Sequence, residues 1–192
     1  MTSFYSPTTG GLYQSETYED DAPTVGLVPS DSILIEDELH DLLVSGLSAG
    51  NSIVVTDGLP ASTPPTVAQL VATAQKVQVA LLQATYQSEI NAPVTFKNAA
   101  GVTSTYSAGN VVALNGQTAK QNVEDSLAVG AAGWTMGLWL DTNNVAQVFT
   151  YADLQGLSDA MGAVVQTDWK ILVQKIAAVQ AAATVADVQS IT

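Results

Sequence analysis

Cysteine is absent from this 192-residue chain, so no disulfide holds the fold together and the redox compartment leaves no mark on it. Arginine is absent as well. Lysine occurs five times against 18 acidic residues, a formal net charge of −13. Neutralising phosphates requires clustered cations, so no nucleic-acid partner is expected, and an anionic membrane surface is disfavoured for the same reason. No apolar run approaches the ~20 residues that a membrane-spanning helix needs. A single histidine without cysteine would leave a zinc site almost wholly to carboxylates, an uncommon ligand set, and no cofactor is expected. Charge of either sign is scarce: 12% of residues are Asp, Glu, Lys or Arg, roughly half the usual ~25%. Thr, Ser, Gln, Asn and Ala must therefore cover the surface. The start, Met1-Thr2-Ser3-Phe4-Tyr5, has neither a basic nor an apolar leader region, so the product is expected to stay in the cytoplasm where it is made.

What is present suffices for a core. Leu, Ile, Val and Phe fill 51 positions, well above the level of a disordered chain. The acids are unevenly placed: ten lie within residues 1–75, nine of them between Glu16 and Asp41, and all five lysines lie at or beyond Lys76. The shift coincides with Ser62-Thr63-Pro64-Pro65-Thr66, a proline-bearing break. We read an α+β chain in three parts: a domain over 1–63, a helical connector over 64–92 and a second α+β domain over 93–192.

In the first part, Phe4-Tyr5-Ser6 and Leu12-Tyr13-Gln14 around Pro7–Gly11 predict a β-hairpin. Ser32–Ile35 suits a short strand. Glu36–Val44 suits a helix with acids at its N-terminal dipole and Gly46 as its stop. Ile53–Val55 suits a strand ended by Asp57-Gly58-Leu59-Pro60. The connector opens with a Thr66–Gln69 capping box. Its apolar residues Val67, Val71, Ala74, Val77 and Leu81 recur at helical steps, and a rod of this length is expected to pack against the rest of the chain or, the favoured reading, against a second copy of it. In the last part, Val94–Phe96 with Val102–Tyr106, and Trp134–Leu140 with Val145–Phe149, predict two hairpins. Residues 107–129 read as mostly helical. A final helix starts at Thr150 with Asp153 as its capping partner and carries Leu154, Leu157, Met161, Val165, Leu172, Ile176 and Val179 as its apolar stripe. Trp134, Trp139 and Trp169 are expected to anchor that core.

Candidate chemistry is thin. Gly46-Leu47-Ser48-Ala49-Gly50 matches a nucleophile-elbow pattern, but it follows a helix and precedes a strand, the reverse of what that elbow needs. His40, the only base, lies upstream of Ser48. Glu36, Asp37, Glu38 and Asp41 are dense in carboxylates yet lack a calcium-loop pattern, and they read as a solvated first helical turn. No pair of acids is singled out for glycoside hydrolysis. The strongest interaction candidate is aromatic: Phe4, Tyr5, Tyr13 and Tyr18, with Leu12 among them, where strand alternation must send some side chains outward.

Phe4-Tyr5-Ser6-x-x-Thr9-Gly10-Gly11-Leu12-Tyr13, then the acid-rich helix, Gly50-x-x-Ile53-Val54-Val55-x-Asp57-Gly58-x-Pro60 and Pro64-Pro65, together resemble the bacteriophage tail fibre assembly proteins over residues 3–90. Residues 93–192, with Gly133-Trp134-Thr135, resemble a domain of unknown function found in phage tail-associated proteins. The resemblance implies a non-enzymatic chaperone that binds a tail fibre protein near its C-terminal tip and promotes its folding and trimerisation. It would act in the host cytoplasm, with a further place in the virion tail. The rival reading is a permanent fibre-tip subunit that contacts host glycan. This chain departs from the family in one respect: its helix is nearly uncharged between Lys76 and Glu89, where the family's connector is often charge-rich.

Overall fold

Aromatic residues sit amid small and polar ones in Thr2–Ser6 and Gly11–Ser15, and these segments form antiparallel strands β1 and β2 in the register Tyr5↔Leu12 and Phe4↔Tyr13. A third strand, β3 (Ile33–Ile35), joins the other edge of β1, giving the order β2-β1-β3. A computed structural model describes residues 2–15, 28–135 and 137–192, and the chain is a mixed α+β protein. It divides into two units, the first ending at Leu70 and the second running from Val71 to Thr192.

In the first unit the two-residue period turns Tyr5, Leu12, Ile33 and Ile35 to one face of the sheet. Helix α1 (Asp37–Ser48) lays Leu39 and Leu43 against that face, and Ile53 of β4 (Ser52–Thr56) completes the cluster. Two details correct the sequence reading. First, α1 continues past Gly46 to Ser48. Gly46 is buried, and a Cβ there would strike the hydroxyl of Ser62 on β5 (Leu59–Thr63); the glycine allows close helix–strand approach and does not end the helix. Second, Asp57-Gly58 ends β4 as expected, but Leu59-Pro60 is not part of that stop and opens β5. With φ of +53° and +83°, Asp57-Gly58 forms the two-residue turn of a β4–β5 hairpin. Pro60 disguised β5 as a loop, but the proline pairs with Val55 at the edge of a two-stranded sheet, where its missing N–H is tolerated.

Helix α2 (Val67–Ile90) begins with the expected capping box. The Gln69 N–H donates to Thr66 Oγ1 at 3.2 Å, and the Thr66 N–H donates to Gln69 Oε1 at 2.7 Å. The second unit continues with the hairpin of β6 (Val94–Lys97) and β7 (Thr103–Tyr106), helix α3 (Ala119–Ala128), the single turn α4 (Gly130–Gly133) and the hairpin of β8 (Leu138–Leu140) and β9 (Ala146–Val148). It closes with α5 (Tyr151–Ala181) and α6 (Val185–Ser190). At 31 residues, α5 spans about 46 Å and serves two cores. Leu157 and Met161 near its start pack with Tyr106, Phe149, Phe96, Trp134 and Trp139. Leu172, Ile176 and Val179 near its end pack with Val71 and Leu82 of α2 and Val188 of α6. The Thr150–Asp153 capping box is formed, and the Asp153 carboxylate also accepts the Ala99 N–H at 2.7 Å.

Three expectations for this unit fail. Residues 107–118 are irregular, and only Ala119–Ala128 is helical in the stretch read as mostly helix. Thr118 caps α3 through Gln121, while Val112 bridges to Thr118 and the Ala113 N–H donates to the Gln117 carbonyl, which spends that segment's backbone on a turn. Trp169 is no core anchor: it stands 55% exposed with only an edge-on contact to Tyr86 at 5.7 Å. Val165, assigned to the buried stripe of α5, is exposed too. No helix among the described residues is long and apolar enough to cross a membrane.

Candidate functional site

The hairpin carries the aromatic candidates, and strand geometry divides them. Tyr5 is 4% exposed and belongs to the first core, with Leu12 packed beside it. Phe4 and Tyr13 are half-buried cross-strand neighbours on the opposite face, and Leu34 of β3 pairs with Phe4 to extend that row across all three strands. Leu34 is 61% exposed. Tyr18 lies outside the described residues.

This face is held in place from its turn. The Ser6 hydroxyl and the Thr8 N–H both donate to the Asp31 carboxylate at 2.8 Å, and the Thr8 N–H above all holds that carboxyl below its ordinary pKa. Tyr13 folds back on the same turn, its hydroxyl 2.9 Å from Thr9 Oγ1 and its ring against Gly11. The Ser3 hydroxyl donates to Asp37 at the start of α1.

The five residues proposed for self-association through α2 do not share one face. Val71 is buried against α5, Ala74 is half-buried, and Val67, Val77 and Leu81 are exposed. At 100° per residue the stripe straddles two adjacent faces, and intramolecular packing consumes one of them. Sequence reasoning missed what else that inner face holds. Gln75 Nε2 lies within hydrogen-bonding distance of the Val179, Gln180 and Ala182 carbonyls (3.1, 3.3 and 3.1 Å), and Gln78 Nε2 donates to the Ile191 carbonyl. The end of α5 has no basic residue in its last turn, so Gln75 satisfies carbonyls that helix leaves free, while Gln78 does the same after α6.

The other chemical candidates stay apart. His40 and Ser48 lie on one helix, about 12 Å apart along its axis. The Ser48 hydroxyl donates to the Val44 carbonyl at 2.9 Å, and among the described residues the imidazole of His40 has one polar partner, Asp41, at 3.2 Å. Among the described residues no three His, Cys, Asp or Glu side chains converge as a metal site.

A cleft of about 710 Å³ opens in the second unit, between β8 on one side and α3 with the irregular 107–118 segment on the other. Val112, Leu114 and Val129 form one wall, and Leu138, Trp139 and Leu140 the other. Leu114 is 82% exposed. Asn115, Gln117 and Asn122 line the cleft in a linked amide network, which Gln117 ties to the Asp125 carboxylate at 2.9 Å. The β8–β9 turn is built on Asp141. The Val145 N–H does most to hold its carboxyl below the usual pKa, burial opposes, and Asn143, Gln147 and Ser104 add to the lowering. The signal for this cleft was the apolar run Val111-Val112-Ala113-Leu114 in a segment that cannot be helical throughout. No protein-family model, curated protein or solved structure matches the chain.

Proposed function

We propose that this chain assists the assembly of a phage tail fibre, holding the fibre near its C-terminal tip while it folds and trimerises in the host cytoplasm. It works by binding, with no covalent step. Fibres are intertwined trimers whose strand edges and apolar surfaces are open until assembly, and a partner that covers them suppresses edge-to-edge aggregation. The observation that carries this reading is the row Tyr13–Phe4–Leu34. It is apolar, lies on the face of the sheet turned away from the core and is fixed in place through Asp31.

The test is co-expression with the fibre encoded beside this gene, scoring soluble, detergent-resistant fibre trimer. Trimer is expected only when this protein is present. Phe4→Ser with Leu34→Ser is expected to weaken fibre binding at least about tenfold in a folded protein, since apolar anchors dominate such interfaces. Equal trimer yield without the protein would remove the chaperone role and leave the permanent tip subunit, whose signature is stoichiometric presence in purified virions.

A further inference from the structure

We infer that the cleft of the second unit receives an extended peptide strand of the partner, added to the free edge of β8. The hydrogen-bond pattern of the β8–β9 ladder points to this. The Phe149 N–H donates to the Gly137 carbonyl at 2.8 Å and the Asp141 N–H to the Val145 carbonyl at 3.0 Å, so the odd-numbered residues face β9. Alternation turns the N–H and C=O groups of Leu138 and Leu140 to the other edge. That edge is occupied two residues beyond Leu140, where the Thr142 N–H donates to the Thr105 carbonyl at 2.9 Å. At Leu140 and Leu138 it has no backbone partner among the described residues. Leu138 and Leu140 point to one face of the hairpin and Trp139 to the other, yet all three line the cleft. The strand therefore presents its edge to the cleft rather than a face.

An incoming strand would meet four unpaired main-chain groups, with apolar walls for alternate side chains and amides along the rim that both donate and accept. A volume near 710 Å³ lies within the range of clefts that hold compact ligands. Charge decides the sequence of the occupant. Asp125 and Asp141 line the cleft and no lysine does, so an acidic segment is repelled and a neutral or basic one accepted. A second copy of this chain, at −13, is a poor match. A saccharide's hydroxyls can meet the amides and the main-chain groups but leave the aliphatic walls of Val112, Leu114, Leu138 and Leu140 unanswered. The inference deepens the assembly reading and rests on it for the identity of the partner, because a fibre protomer exposes such strands before it trimerises.

The test needs no fibre, so its outcome is separable from that of the co-expression. The full isotope-labelled chain is titrated with a designed peptide of about eight residues, a usual strand length, alternating valine and threonine between terminal lysines. Two twins accompany it, one with glutamate in place of lysine and one N-methylated along a single edge. Saturable binding is expected, with the Leu138 and Leu140 amides newly protected from hydrogen exchange. The glutamate twin and the Leu114→Asp variant should each bind at least about tenfold more weakly, and the N-methylated twin not measurably. Equal binding by the N-methylated twin, perturbation confined to another surface, or no saturation overturns the proposal. So does a neutral oligosaccharide that fills the cleft while the peptide does not, or a dimer that Leu114→Asp dissociates.

Discussion

The two units bury their apolar side chains on different scales. The first closes on three buried apolar residues, Tyr5, Ile35 and Leu43, and adds carboxylate ties from Asp31 and Asp37. The second has two clusters joined along one helix, the larger around Val71, Leu82, Leu172, Val179 and Val188. Charge divides the same way. Residues 1–70 carry ten acids and no lysine, whereas residues 71–192 carry eight acids and all five lysines. Small domains bury a smaller fraction of their surface, so the first unit is the more marginal and depends more on each contact. The contrast implies that the units can fail separately, and the reporter is built in: Trp134, Trp139 and Trp169 all lie in the second unit.

Phe149→Ala is expected to have the largest effect, about 3–5 kcal/mol, because Phe149 is 1% exposed and touches Tyr106, Phe96 and Trp139 at centroid distances of 5.3, 5.9 and 6.4 Å. Tryptophan emission should shift red at a lower urea concentration, while the slowly exchanging amides of β1 and α1 persist. Leu43→Ala is the mirror experiment, costing the first unit about 2–5 kcal/mol. It should erase protection in β1–β3 and leave the tryptophan midpoint unmoved. If either variant shifts both readouts together, the chain unfolds as one cooperative body and the comparison collapses.

The first unit was largely legible in sequence because its signals are local. Aromatic-bearing runs around the Pro7–Gly11 turn pointed to β1 and β2, and acids before Leu39 and Leu43 pointed to α1. Its errors were Gly46 as a helix stop and Leu59-Pro60 as a strand stop, where a glycine or a proline admits two meanings and only the neighbouring strand decides between them. In the second unit the capping pairs Thr66–Gln69 and Thr150–Asp153 were equally readable. The placement of Trp169, the division of the α2 stripe and the cleft were not. Each depends on which helix face finds a partner far along the chain, as when Gln75 meets Val179. The interface candidates follow the same division: alternation announced that some hairpin aromatics face outward, and only the register showed that these are Phe4 and Tyr13 rather than Tyr5 and Leu12.

Gln75→Leu probes one of those long-range links. The substitution keeps the volume and removes the donor that reaches the last carbonyls of α5, so a loss of about 1–3 kcal/mol in the second unit is expected. Because α5 frays at that end first, hydrogen exchange should accelerate over Val173–Ala181 before Tyr151–Met161 changes. Uniform acceleration along α5 would mean that the helix end is held by the apolar contacts of Val179 and Val188 alone.

Acid should distinguish the units by steepness, with the smallest effect of the series. In the second unit, burial raises the pKa of Asp153, but hydrogen bonds from Thr150 and Ala99 outweigh it, and the pKa of Asp141 is lowered chiefly by the Val145 N–H. A carboxylate whose folded pKa lies below its unfolded value adds stability above the unfolded value, and this is lost as pH falls through the folded one. The tryptophan midpoint in urea should therefore hold from pH 7 to about 4.5 and decline below about 3.8, the ordinary aspartate range. Asp31 contributes a loss of the same sign to the first unit. There it competes with relief of repulsion, because nine further acids without a lysine or arginine among them are neutralised over the same range. Amide protection in β1–β3 should therefore fall less steeply below pH 4 than protection in β8 and β9. Asp31→Asn sharpens the contrast: without the lowered group only the relief remains, and protection of the first unit should rise as the solution is acidified. A fall in that variant as steep as in the parent chain would show that self-repulsion among the ten acids does not govern the first unit.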